Sequence, residues 1–109
     1  MTPTNAKVYA GEFGKALRVF THLSTVETAD EILVLFENDA GDRKSLTATA
    51  VQGDPDYAVE AILDEGFTDD MAGEWKGQVK VTFSDGVGYG GYFRFTVEAP
   101  IADPESGDP

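Results

Sequence analysis

His22 is the only histidine in the 109 residues, and the chain has no cysteine. Disulfides, thiolate nucleophiles and Cys-containing metal cages are therefore excluded by residue type alone. In "THLS" His22 stands two positions from Ser24, and any aspartate would complete the residue types of a Ser/His/Asp triad. The G-x-S-x-G elbow that would present such a serine is missing, so no triad is predicted. His22 is expected near a strand end, with its imidazole facing solvent or partly packed.

Two glycine-rich stretches invite a phosphate-loop reading, because glycine lets backbone N–H groups approach an anion. "GVGYGG", residues 86–91, leads into a strand pattern rather than a helix and lacks the Lys-Ser/Thr pair; "GEFGK" lacks the G-x-x-x-x-G-K spacing. The first predicts a turn and a bulge, with Gly90 and Gly91 at a crowded or bent position.

From Asp54 to Glu74 run Asp54, Asp56, Glu60, Asp64, Glu65, Asp69, Asp70 and Glu74 with no basic residue among them, which predicts one strongly negative end or edge. Carboxylates of "LDEGFTDDMAGE" are suitable ligands for calcium, but the order of an EF-hand loop is absent and the run reads as a hydrated connection. A carboxylate pair for glycoside hydrolysis is defined by separation in space, which this run does not specify. The reading assigns no catalytic, metal or cofactor-binding residue. Against 20 acidic side chains stand 8 basic ones, and the net charge of −12 opposes binding to nucleic acid. No apolar run is long enough to span a membrane, and the opening residues lack the apolar core of a secretory signal, so a soluble chain not secreted by that route is expected.

Around these residues the chain is written in period two. Trp75, Gly77, Val79, Val81 and Phe83 alternate with Lys76, Gln78, Lys80, Thr82 and Ser84; after turn residues Asp85 and Gly86, Gly91, Phe93, Phe95 and Val97 alternate with Tyr92, Arg94, Thr96 and Glu98. This predicts an antiparallel hairpin. "EILVLFE", 31–37, is apolar on both faces and predicts a central strand covered on both sides. "NDAGDRK" turns the chain, "RKSLTATAVQ" follows as one Thr-rich strand, "KALRVFTHL" and "KVYA" supply two more, and "YAVEAIL" reads as another strand, with a short helix as the lesser alternative. The expected fold is all-β: a single immunoglobulin-like antiparallel β-sandwich of about seven strands over residues 1–99, with an acidic, Pro-containing tail over 100–109. Phe13, Phe20, Tyr57, Tyr89 and Tyr92 fall outside or opposite the clearest inward register; about half are expected in the core through the second sheet, and aromatics left on a surface often become interface anchors. The candidate partner-contact residues are Asp64, Glu65, Asp69, Asp70, Tyr89 and Tyr92.

The pattern "YAGEFGKALRVFT…ADEILVLFENDAGDRKSLTATA…ILDEGFTDDMAGEWKGQVKVTFSDGVGYGGYFRFTVEA" resembles the small immunoglobulin-like structural proteins of tailed bacteriophages, and is similar to the N-terminal domain of phage baseplate upper proteins. Matching positions are Gly11 and Gly14, Ile32 to Phe36, Thr47 and Thr49, Gly73 and Trp75, Val79, Val81 and Phe83, Asp85 and Gly86, and Phe93, Phe95 and Val97. Two departures are Asn38-Asp39-Ala40-Gly41-Asp42 in place of a Pro-Asp-Gly turn, and the acidic tail. The resemblance implies a virion component without enzymatic activity, present in many copies and docked on a larger capsid, neck or tail/baseplate protein, with no nucleic-acid or membrane partner and no cofactor. The alternative reading is a carbohydrate- or calcium-binding module, with Tyr89 and Tyr92 as a stacking platform or the acidic loop as a cation site.

Overall fold

The computed structural model describes residues 6–23 and 25–101; Ser24 and the tail residues 102–109 lie outside them. Among the described residues nine strands follow one another: β1 (Ala6–Tyr9), β2 (Ala16–Phe20), β3 (Glu31–Asn38), β4 (Arg43–Thr47), β5 (Thr49–Ala50), β6 (Ala58–Ile62), β7 (Gly73–Phe83), β8 (Gly86–Tyr89) and β9 (Phe93–Glu98). The only helical element among the described residues is a 3₁₀ turn, Val26–Thr28.

The alternation places Trp75, Val79 and Val81 of β7 beside Ile32, Val34 and Phe36 of β3 on one buried face. β3 and β7 form the middle of a sheet ordered β1-β9-β7-β3-β4, with β8 beside the far half of β7; the opposing sheet is β2-β6-β5. Leu17, Val19, Val59 and Ala61 of the smaller sheet close the core. Fully burying such side chains stabilises by about 1.5–3 kcal/mol each. This order, with G-F-C-C′ equivalents facing B-E-D equivalents, is that of an immunoglobulin-like sandwich. Trp75 opens the strand in the F position, and its indole N–H donates to the Met71 carbonyl at 2.7 Å in the preceding loop. A tryptophan thus makes the corner that a tyrosine makes in many such domains.

Four details differ from the sequence reading. β1 pairs with β9 in parallel, not antiparallel. It joins the sheet from the distant end of the chain, so no tight turn dictates its direction. The Thr-rich segment is two strands rather than one: the chain crosses between sheets at buried Ala48, whose N–H still donates to Ile32. Leu33 and Leu35 are only half-buried, because a two-layer sandwich covers one face of β3 and leaves the other outward. Finally, Ser84 and Asp85 make the hairpin turn, and Gly86 opens β8 by pairing with Phe83.

The β7–β8–β9 ribbon carries the expected bulge. Lys80 opposes Tyr89, but Gly77 opposes Phe93, so residues 90–92 face only 78 and 79. One extra residue shifts the register and swings Tyr92 outward while Phe93 turns in. Gly77 is required on that inner face, since a Cβ there would overlap the Phe93 ring. Phe93 and Phe95 pack around Phe36, with ring centroids 6.3 and 4.8 Å away.

Candidate functional site

The acidic run does not form one negative end. Asp54 and Asp56 sit in the turn before β6, Glu60 pairs with Arg18 across the small sheet at 2.8 Å, and Asp64, Glu65, Asp69 and Asp70 lie in the loop after β6. Glu74, already on β7, pairs with Arg94 at 3.4 Å. β6 runs the length of the small sheet, so it carries the two ends of this sequence run to opposite ends of the domain.

The loop 63–72 is acidic at its surface and apolar beneath. Leu63, Thr68 and Met71 are buried, and the Phe67 ring meets Phe36 edge-on at 5.6 Å. Leu63 N–H donates to the Lys15 carbonyl at 3.0 Å, and Gly14 N–H donates back to the Leu63 carbonyl at 2.8 Å. The Thr68 hydroxyl accepts from Gly11 N–H at 2.9 Å and donates to the Glu12 carbonyl at 3.3 Å, tying this loop to the one before β2. Lys44 shares the inward side of β4 with Leu46; its ammonium donates to the Phe67 carbonyl at 2.7 Å and pairs with Asp70 at 2.6 Å. That hydrogen bond, with the attraction of the same charge, holds the Asp70 carboxyl below the usual carboxylate range. The Tyr9 N–H does the same to Glu12, with Lys15 adding to it. Asp64, Glu65 and Asp69 are left exposed on this fixed base.

Tyr89 and Tyr92 are elsewhere, on the outer face of the large sheet. With Val87 they are each more than half exposed, at 53, 60 and 54%. Register brings Tyr89, Lys80, Leu33 and Thr47 into one outward row, and Gln78, Leu35 and Ser45 into the next. The Lys76 ammonium lies 4.6 Å from the centroid of the Tyr92 ring. A groove of about 230 Å³ runs beside this pair, lined by Leu35, Glu37, Arg43, Gln78 and neighbouring residues. A wider one of about 650 Å³ lies on the other side, lined by Asn38, Asp39, Glu74 and Arg94 among others. Lys76 and Tyr92 form the ridge between the two.

No family model matches the chain, and no curated protein matches it. What the site does must therefore be argued from its own geometry.

The candidate contact residues thus form two groups on two surfaces. His22 is exposed and has a φ of 56°, as does Tyr57, which lies across from it. Buried Thr21 holds the two turns together: its hydroxyl donates to the Tyr57 carbonyl at 2.7 Å and accepts from Leu23 N–H at 3.0 Å. That accounts for both left-handed residues structurally. Among the described residues no three His, Asp or Glu side chains group to hold a metal ion. Of the other surface aromatics, Phe13 is exposed at 57%, whereas Tyr57 is partly buried against the core. Thr68, Lys44 and Lys76 organise the site and belong to no sequence motif. Lys44 alone left a signal, its inward parity with Leu46.

Proposed function

We propose that this protein is a non-enzymatic bacteriophage virion component, an immunoglobulin-like module that docks on a larger capsid, neck or tail/baseplate protein through its acidic loop. The observation that carries the docking is the contrast within residues 63–72: exposed Asp64, Glu65 and Asp69 stand on a buried, hydrogen-bonded base. A charged surface that is already ordered loses little conformational entropy on association. Its acidity fits a basic patch on the larger protein, and such complementarity sets association rate and specificity. The resemblance of the strand and turn pattern to phage structural proteins supplies the virion setting.

Mass spectrometry of purified phage particles tests the setting, and incorporation of a triple variant, Asp64→Asn, Glu65→Gln and Asp69→Asn, tests the docking. The expected result is that wild type is found in particles at high copy, while the triple variant folds normally and is depleted severalfold. Absence of the wild-type chain from particles would overturn the virion reading, and undiminished incorporation of the variant would overturn the acidic docking surface.

A further inference from the structure

The charges of the large sheet's outer face set it apart from the rest of the molecule. Among the described side chains four basic ones stand there, Arg43, Lys76, Lys80 and Arg94, together with four acidic ones, Glu31, Glu37, Glu74 and Glu98. These eight charges cancel, and the −12 is carried by other residues. Arg43 pairs with Glu37 at 2.8 Å and Arg94 with Glu74 at 3.4 Å, so opposite signs alternate over it. Half-buried Leu33 and Leu35 lie in its middle beside Lys80 and Gln78, and Val87, Tyr89 and Tyr92 are exposed along the edge that β8 makes beyond β7.

We propose that this face binds a second copy of the chain, face to face about a two-fold axis. The charge distribution selects that occupant. Two identical chains of −12 repel through most orientations, and the sheet face with its cancelling charges is where an identical copy approaches with least repulsion. An isologous contact places the same patch on both sides, and a patch carrying both signs in equal number is self-complementary. The 38 residues in the six strands of this sheet, at ~4.8 Å strand spacing and ~3.3 Å rise, cover roughly 600 Å² per copy, or ~1,200 Å² in the pair, at the lower bound of specific interfaces. Exposed tyrosines on the same face as paired charges supply the aromatic and polar residue types of such contacts. The inference uses the sheet face rather than the acidic loop, and it stands independently of the virion reading.

Sedimentation of the full chain across micromolar to millimolar concentration, at low and high salt, tests it. The expected species has twice the chain mass, and its association holds or tightens as salt screens the surrounding carboxylates. Val87→Glu with Tyr89→Glu, both at exposed positions, is expected to weaken association at least tenfold without altering the circular dichroism spectrum. Glu65→Gln with Asp69→Asn is expected to leave it intact. A monomer at every concentration would overturn the proposal, as would a dimer indifferent to the Val87/Tyr89 pair or one loosened by salt. Saturable binding of a neutral oligosaccharide to a monomer, lost in Tyr92→Ala, would reassign the face to a glycan.

Discussion

The closing loop 63–72 and the outer face of the large sheet both present candidate contact residues, yet they are built in opposite ways. In the loop the charges are outside and the support is polar as well as apolar: Thr68, Lys44 and the Trp75 indole each bond a backbone group, the last of them at a buried site. On the sheet face the support is the ladder itself. β3 and β7 pair over eight positions from Glu31↔Thr82 to Asn38↔Trp75, and outward side chains other than Gln78, whose amide donates to the Gly90 carbonyl at 2.9 Å, can change without removing a partner of the backbone. A surface on irregular backbone is thus coupled to folding, and a surface on a sheet is largely free of it. Substitutions test that difference directly.

The largest effect is expected at Trp75, which links the two regions. Trp75→Ala removes a buried ring and the donor to Met71, and a loss of about 3–5 kcal/mol is expected by denaturant unfolding. Trp75→Phe retains most of the packing and strands the Met71 carbonyl, for about 1–3 kcal/mol. Equal losses for the two would show that the corner hydrogen bond contributes more than the ring.

Next comes Thr68, fully buried between two loops. Thr68→Val keeps the shape and deprives Gly11 N–H of its acceptor, so about 1–3 kcal/mol is expected, with faster hydrogen exchange at Gly11. Unchanged exchange at Gly11 would mean that the loop is held by its apolar underside alone.

A smaller effect follows from pH. The Asp70 and Glu12 carboxyls are held below their ordinary values by Lys44 and by Tyr9 N–H. A depressed folded-state pKa gives stability that is complete above the unfolded-state value, about 4, and is lost as pH falls through the folded-state value. The melting temperature should therefore decline below about pH 4, and the combined Asp70→Asn and Glu12→Gln variant should decline less steeply. Parallel curves would place the acid sensitivity in other carboxylates.

Legibility divides along the same line. Alternation located β7, β9 and the outward Tyr92, because side-chain direction in a strand is a local property, and the glycines of residues 86–91 marked the bulge. Residues 54 to 74 are a single acidic run in sequence and are dispersed over two ends, a small-sheet pair and an outer-face pair. That dispersal depends on where β6 begins and ends, which no local pattern records. Thr68 reads as one more polar residue in a polar loop, and only the neighbouring loop gives it a task. The parallel direction of β1 was equally hidden, since an apolar alternation fits either direction.

The smallest stability effect is expected on the sheet face, and it separates the two regions most sharply. Tyr89 and Val87 stand outward on a short strand whose ladder to β7 runs from Lys80↔Tyr89 to Phe83↔Gly86. Replacing both with serine removes exposed side-chain area and no backbone partner. Stability of the monomer should stay within about 0.5 kcal/mol of wild type, as for ordinary surface substitutions. Measured by denaturant unfolding at low concentration, a larger loss would mean that these side chains hold the ribbon together rather than face a partner. A loss that appears only at high protein concentration would instead reveal association, since whatever binds the folded state alone adds to its apparent stability.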